Sequence, residues 1–159
     1  MPLTTLLLAA CARYTLGTRT KPPFSTLAIA PVKNETSAAQ MQAPLSQQLT
    51  QLLSQENNIH VVGDNSDVTL YIHITGYEHT VAATDPHDTT LGNSFNLRIR
   101  ALCTLVDNRT GKTLFEKREV RATTVAHAMS GFTAVEYQTM PVLTRALAQK
   151  LRDTITSTW

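Results

Sequence analysis

The residue with the most evident chemistry is Cys11, whose thiol directly follows a short apolar run that ends in two alanines. In a bacterial lipoprotein precursor, this arrangement is cut before the cysteine, and the thiol receives the lipid. We therefore predict a signal remnant at residues 1–10, acylation (palmitate included) at Cys11, and a lipidated tether at residues 11–25. Residues 1–5 contain no Lys or Arg, so two alternatives stay open: a leader that starts further upstream, or an ordinary apolar N-terminus.

Residue types that catalyse reactions or bind metals do not form a recognisable group. The five histidines are scattered, and two of them on one strand, His73 and His79, would lie about 20 Å apart. One alternative is a weak metal site, which would form if a polar loop folded back and would consist of His79, Asp85, His87 and Asp88. The simpler interpretation is that these side chains are solvated. Because the sequence also lacks a Gly-rich phosphate loop and a nucleophile elbow, we predict no catalytic residue, no metal, no cofactor, and no enzymatic activity.

The charge of the chain is small but unevenly distributed. The formal net charge is +2 at pH 7, which is too small to indicate a nucleic-acid partner. Residues 94–124 hold seven Lys and Arg against three Asp and Glu. The basic side chains therefore concentrate in one segment, and the rest of the chain is slightly acidic.

Two kinds of periodicity predict the elements that must position these residues. Residues 26–32 form a predicted first strand, with Pro31 near its end. Apolar residues at steps of three or four then predict an amphipathic helix, which starts between Ser37 and Ala43 and ends at Asn57. Its apolar positions are Met41, Leu45, Leu49, Leu52 and Leu53. A short strand at residues 59–62 follows.

Strict alternation of apolar and polar residues then predicts three long strands in a meander. In the first strand, Tyr71 and Tyr77 share the polar face. In the second, Arg98 and Arg100 share the polar face, whereas Cys103 falls on the apolar face, where burial explains it. In the third strand, from about residue 113 to residue 124, one side carries Phe115, Lys117, Glu119 and Arg121.

A second amphipathic helix ends the chain, with an apolar stripe of Val142, Leu143, Leu147, Leu151 and Ile155. The order strand, helix, strand, meander, helix predicts an α+β fold. We expect a two-layer sandwich, in which a mixed, mostly antiparallel sheet of four to five strands carries both helices on one face. Residues 26–159 would form this single domain, and the long meander is expected to project beyond the helices at its far end.

Several blocks of the sequence resemble the lipopolysaccharide-assembly lipoprotein family (LptE). The box that ends in Cys11, with Tyr14 to Gly17 behind it, is similar to the family's Cys-Gly-Tyr-x-Leu start, although Ala12 stands where the family usually has Gly. Residues 27–36 are similar to its first strand and P-x-x-N-x-T turn. Further similar blocks are residues 61–70, Ile74-Thr75-Gly76-Tyr77, and the hairpin at residues 106–114.

The resemblance implies a single LptE-like domain that is lipid-anchored in the periplasmic leaflet of the outer membrane. It implies a protein that plugs and helps assemble a large β-barrel translocon of the LptD type, and that assists delivery of lipopolysaccharide to the cell surface. Candidate contacts with lipopolysaccharide or the barrel are Tyr71, Tyr77, Arg98, Arg100, Lys117 and Arg121, since Arg and Lys bind phosphates well. The alternative for each is a solvated or cross-strand-paired side chain.

Other functions stay open at this point. Outer-membrane lipoproteins that activate cell-wall synthases, and lipoproteins of the curli-secretion type, also start with a Cys tether and a similar first strand. Such a protein would bind an enzyme domain or assemble with itself. A third alternative, a periplasmic enzyme, would require polar residues that converge in a pocket.

Overall fold

The structure is a computed structural model and describes residues 21–84, 92–127 and 132–159. Within these ranges the strands are β1 Thr26–Ile29, β2 Lys33–Asn34, β3 His60–Val61, β4 Val68–Thr84, β5 Gly92–Asp107 and β6 Thr113–His127. The helices are α1 Gln42–Ser54, which follows a 3₁₀ turn at Ala39–Met41, and α2 Phe132–Thr156. No helix of the described part combines the length and the apolar character that a membrane span requires.

The strands form one mixed sheet, and both helices pack on one of its faces. The strand order is β3-β1-β4-β5-β6, with β2 paired to β4 beyond the end of β1. The pairs made by β1 and β2 are parallel, whereas β4, β5 and β6 form an antiparallel meander. The predicted α+β two-layer sandwich is confirmed. The described sheet has six strands rather than four to five, because Lys33 and Asn34, just beyond the predicted first strand, pair with β4 as the short strand β2.

The core lies between the sheet and the helices. Every apolar residue predicted on the inner face of β5 is buried, from Phe95 to Leu105, and Cys103 is fully buried among them. The predicted stripe of α2 is correct except for Val142, which is 56% exposed. Val142 precedes the buried Leu143 by one residue, or about 100° around the helix. The stripe instead includes Met140, Thr144 and Ala148.

A side-chain network explains the P-x-x-N-x-T spacing before α1. The Asn34 carboxamide oxygen accepts the Thr36 backbone N–H at 2.8 Å, and its nitrogen donates to the Ala38 carbonyl at 2.9 Å. Asn34 thus closes the turn with bonds that a backbone turn would otherwise provide. The P-x-x-N-x-T turn is confirmed, and the 3₁₀ turn that leads into α1 has no side-chain cap.

At the end of the sheet where the chain enters the domain, two polar side chains form hydrogen bonds between neighbouring segments. Asp67 accepts the backbone N–H groups of Ser25 and Thr26 at 2.9 and 3.0 Å, which lower the pKa of its carboxyl. Asn108, in the β5–β6 hairpin, donates to the Ser66 carbonyl at 2.8 Å. Phe24 is buried at this end and contacts the Trp159 ring edge-on, with centroids 5.8 Å apart. The packed core therefore already includes Phe24.

The opposite end of the meander lies beyond most of the core. All side chains of β4 from Glu78 to Thr84 are exposed. Of the two described helices, α2 reaches this region with its first turn, where the Phe132 ring contacts His79 and Phe95 at centroid distances of 4.4 and 4.7 Å. This exposure agrees with the expected projection of the meander beyond the helices.

Candidate functional site

The face of the sheet opposite the helices is the candidate site, and we call it the open face. Strand alternation directs every second side chain of the meander to it. Its members include Tyr71 and His73 on β4, Arg98 and Arg100 on β5, and Arg121 on β6. In the part of the chain that the structure describes, neither helix packs on this face, which leaves its side chains free to contact a partner or a ligand.

A β-bulge at Thr75 changes which residues of β4 reach the open face. Ile74 lies opposite Ala101, but Gly76 lies opposite Arg100, so β4 contains one extra residue at this point. An extra residue inverts the alternation of all side chains that follow. The prediction that Tyr77 shares a face with Tyr71 is therefore wrong. Tyr71 is on the open face and 51% exposed, whereas Tyr77 packs against the core.

Tyr77 connects the sheet to α2. Its hydroxyl donates a hydrogen bond to Glu136 Oε1 at 2.5 Å. Burial, together with this carboxylate, raises the pKa of Tyr77 well above its usual value. The phenol therefore remains protonated and keeps donating. Its role in the described structure is to fasten α2 rather than to face a partner.

The same bulge places Gly76 beside Arg100 on the open face. The guanidinium of Arg100 lies directly over Gly76, where a Cβ atom would be 2.7 Å from Nε and 2.9 Å from Nη2. A side chain at position 76 would displace the guanidinium, so this close approach depends on glycine. From this position Arg100 Nη2 donates to Glu78 Oε1 at 3.0 Å, and Arg98 Nη1 lies 3.8 Å from the other oxygen of Glu78. The arginines predicted from alternation are thus held by one glutamate.

A second irregularity affects the predicted residues of β6. Lys117 has a positive φ of 46°, and its backbone N–H donates to Thr104 Oγ1 at 3.0 Å. The register of β5 and β6 shifts here. Phe115 is consequently buried, whereas Arg121 is exposed on the open face. The prediction that Phe115, Lys117, Glu119 and Arg121 share one side is wrong for this reason.

The structure brings three of the predicted contact residues together. Arg121 lies directly opposite Arg100 in the sheet, and Arg98 is two residues from Arg100. Glu78 and Glu119 each contact this group, the latter through an ion pair with Arg121. Tyr71, five residues from Gly76, is about 16 Å away along β4. Lys117 lies at the bulge, with its Nζ 3.5 Å from Glu116 Oε1. Three arginines and two glutamates leave a surplus positive charge at the centre of the open face.

A charged cluster that alternation did not predict borders the open face beside β2. Glu35 contacts Lys33 Nζ at 2.7 Å and His73 Nε2 at 3.0 Å. The hydrogen bond from Lys33, followed by the charge of His73, lowers the pKa of the Glu35 carboxyl. The parallel pairing of Lys33 with His73 brings these residues together. Because β2 was not predicted as a strand, this contact could not be predicted from alternation.

The other predicted residues have simple positions or lie outside the described ranges. Burial raises the pKa of the Cys103 thiol to about 11, and its Sγ lies 3.4 Å from the Arg118 carbonyl oxygen. The predicted burial of Cys103 is confirmed, and a raised pKa lowers the fraction of the reactive thiolate. Within the described ranges no three potential metal ligands come together. Cys11 and three members of the alternative metal site, Asp85, His87 and Asp88, lie outside those ranges.

Comparison with known families identifies the chain. A sequence model described as "LptE: Lipopolysaccharide-assembly" matches residues 24–157. The chain belongs to the LptE family. It is an envelope lipoprotein of the LptE type, and this lipoprotein family is non-enzymatic. The match begins at Phe24, the first buried residue of the described domain.

Solved structures share the LptE-like fold at low sequence identity. A hypothetical protein from Chlamydia trachomatis has a TM-score of 0.59 at 9% identity, over 84% of this chain and 96% of its own. Uncharacterized lipoprotein B from Nitrosomonas europaea has a TM-score of 0.58 at 16% identity, over 84% of this chain and 83% of its own. A PelC dodecamer from Paraburkholderia phytofirmans has a TM-score of 0.52 at 11% identity, over 86% of this chain and 89% of its own. These similarities show the fold alone. No curated protein sequence matches the chain.

Proposed function

We propose that this LptE family member is anchored through acylated Cys11 in the periplasmic leaflet of the outer membrane. There it plugs a large β-barrel translocon of the LptD type, helps that barrel assemble, and assists delivery of lipopolysaccharide to the cell surface. The observation that carries this proposal is the family match over residues 24–157. The protein acts by binding and is not an enzyme.

The open face supports the proposal through its chemistry. A plug inside a polar barrel lumen needs a surface rich in hydrogen-bonding and charged side chains, rather than an apolar one. The open face contains Tyr71, the Glu35 cluster, and Arg98, Arg100 and Arg121, which we call the arginine group. Arginine presents a planar set of donors that matches carboxylates and phosphates. The group of Arg98, Arg100 and Arg121 therefore suits an acidic barrel wall or a lipid A phosphate.

Lys117 and Tyr77 are weaker members of the proposed contact set. Lys117 is exposed beside the bulge and is near Glu116 rather than the arginine group. Tyr77 faces α2. We therefore place direct contact on Arg98, Arg100, Arg121 and Tyr71, with Lys117 at the margin and Tyr77 as a residue that positions α2.

The first test is affinity purification of the full-length protein from its native envelope in mild detergent, followed by mass spectrometry. Recovery of a large β-barrel protein at equal stoichiometry would support the proposal. Recovery of a cell-wall synthase would favour the activator alternative. Labelling with a palmitate analogue tests the anchor, since Cys11→Ala should abolish incorporation while Cys103→Ala should not.

The second test separates the arginine group from bulk charge. In the double variant Arg98→Glu and Arg100→Glu, Glu78 would face two acidic neighbours instead of two arginines, and we expect barrel recovery to fall about tenfold. Arg145→Glu is the control, because Arg145 is exposed on α2, away from the open face. Barrel recovery that equals the control would refute the assignment of this contact.

A second candidate function is self-assembly, as in the ring-forming alternative. The PelC dodecamer from Paraburkholderia phytofirmans shares the fold at a TM-score of 0.52. Sedimentation of the purified protein at increasing concentration distinguishes the two functions. A stable oligomer that forms without a barrel would favour self-assembly, whereas a monomer would favour the plug.

A further inference from the structure

The arginine group lies over the β5–β6 pair of the open face. Arg100 is directly opposite Arg121, and Arg98 is opposite Thr123, whose side chain is exposed. Residues directly opposite each other in a sheet have Cβ atoms about 5 Å apart. Three guanidinium groups and one hydroxyl therefore share a small patch, in which two like charges are cross-strand neighbours.

Two glutamates flank this patch and neutralise it incompletely. Glu78, on β4, accepts a hydrogen bond from Arg100 Nη2 at 3.0 Å and lies 3.8 Å from Arg98 Nη1. Glu119, on β6, is paired with Arg121. Among the described residues, one positive charge of the patch is therefore left without a counter-charge. Because like charges directly opposite each other destabilise a pair of strands, an additional anion would stabilise this arrangement.

The contact between Glu78 and Arg100 is of a kind that an external anion can replace. The two side chains are 46% and 41% exposed, and exposed ion pairs contribute little to stability. A guanidinium has five N–H donors, and Glu78 accepts one of those of Arg100. Arg100 Nε is buried over Gly76 and has no hydrogen-bond partner among the described residues. An external anion therefore binds Arg100 through its terminal nitrogens, where Glu78 now lies.

The charges of the patch determine which anion can displace Glu78. A second carboxylate has the same charge and the same two oxygens, whereas Glu78 is held next to the arginines at an effective concentration of about millimolar or more. A phosphate monoester has three acceptor oxygens and a charge of about −2 at neutral pH. With Glu78 displaced and Glu119 still in place, such a phosphate would neutralise the three arginines completely. The patch therefore favours a phosphate monoester over an acidic side chain.

We propose that the arginine group is a binding site for a phosphate monoester, and that Glu78 is an internal counter-ion that leaves the arginines when the phosphate binds. Arg100 keeps its place over Gly76, Arg98 and Arg121 donate from either side, and Glu119 remains paired. This inference rests on the proposed function, which makes the open face a contact surface, and deepens it by naming the class of ligand.

Titration of the purified full-length protein with two matched probes tests the class of ligand. Phenyl phosphate and benzoate share the ring and differ in the anionic group. Arginine N–H resonances report binding by NMR at about pH 7.5, where the phosphate is mainly the dianion. We expect phenyl phosphate to bind about tenfold more tightly than benzoate, or better. Equal affinities would overturn the inference and favour an acidic protein segment as the ligand.

Glu78→Gln tests the counter-ion, and Glu116→Gln is the matched control. Both substitutions remove the charge of an exposed glutamate, but Glu116 is paired with Lys117 at the bulge rather than with the arginine group. Without its internal competitor the site should bind each probe more tightly by a similar factor, about fivefold for Glu78→Gln and less than about twofold for Glu116→Gln. Equal effects of the two substitutions would overturn the role of Glu78.

A lipid probe identifies the source of the phosphate. Phosphatidic acid, added to the detergent micelles in place of phosphatidylcholine, presents a phosphate monoester on a lipid. If it displaces phenyl phosphate, the site accepts a lipid headgroup, and if it does not, the site takes a soluble phosphate monoester; either result supports the site.

The outcomes also separate this inference from the proposed function. A protein that recovers the barrel but does not bind phenyl phosphate would overturn this inference and leave the proposed function intact. A protein that binds phenyl phosphate but recovers no barrel would overturn the proposed function and leave the phosphate site supported.

Discussion

Removing the hydroxyl of Tyr77 tests the most consequential feature of the fold, which is the bulge at Thr75. The bulge directs Tyr77 toward α2, where its hydroxyl donates to Glu136 at 2.5 Å. Without the bulge, Tyr77 would share the open face with Tyr71, and the two hydroxyls would both be solvated. The variants Tyr77→Phe and Tyr71→Phe therefore distinguish the two arrangements.

The expected magnitude follows from the type of bond. Hydrogen bonds to charged groups contribute about 1.5–3 kcal/mol to stability when they are well shielded. Tyr77 and Glu136 are both partly buried, so water can partly replace the lost hydroxyl. We expect Tyr77→Phe to lower the free energy of unfolding by about 1–2 kcal/mol. Tyr71→Phe should stay within about 0.5 kcal/mol of the wild type, as exposed substitutions do.

Urea denaturation followed by circular dichroism measures both variants. A double-mutant cycle with Glu136→Gln then isolates the contact, and we expect a coupling free energy of about 1 kcal/mol between residues 77 and 136. Equal, near-zero effects of the two tyrosine variants, together with no coupling to Glu136, would refute the inverted alternation and the role of the bulge.

Two further predictions concern Gly76 and Asp67. Gly76→Ala should change the free energy of unfolding by less than about 1 kcal/mol, because the guanidinium of Arg100 can move and alanine is less flexible than glycine in a strand. NMR should show the displacement of the guanidinium as a shifted Arg100 Nε–H resonance. A loss of more than about 3 kcal/mol would contradict the reasoning. The lowered pKa of Asp67 means that its carboxylate stabilises the native state above pH 3.8 and that this contribution is lost as the pH falls through the lower native pKa. Asp67→Asn should therefore show a smaller loss of stability between about pH 5 and pH 2 than the wild type or the loop control Asp64→Asn, and identical urea midpoints at each pH would contradict this expectation.

The sequence predicts elements and cores well where the alternation is unbroken. Along β5, the predicted inner-face residues from Phe95 to Leu105 are all buried, and so are the leucines of α1 and α2 apart from Leu52, which is half-buried. The element order followed from the change between periods of two and about 3.6 residues. Arg98 and Arg100 were placed correctly on the open face because β5 has no irregularity between them and Cys103.

The faces of β4 and β6 could not be predicted from alternation alone, since each strand contains an extra residue. A single extra residue moves all subsequent side chains to the other face. For β4 a signal was present, because a glycine inside a strand often marks a bulge or a close approach of another group. For β6 the signal was absent, because Lys117 is not a residue type that favours a positive φ.

The block Ile74-Thr75-Gly76-Tyr77, which the resemblance singled out, now has a physical explanation. One extra residue turns Gly76 outward, where the absence of a Cβ admits the Arg100 guanidinium, and turns Tyr77 inward, where its hydroxyl binds Glu136. The position of an arginine on the open face and the attachment of α2 on the opposite face therefore depend on the same bulge. The position of the Arg100 guanidinium on the open face depends on the space above Gly76 and on the hydrogen bond to Glu78. Positioning a side chain before it binds lowers the entropic cost of binding, which is how Gly76 contributes to the open face.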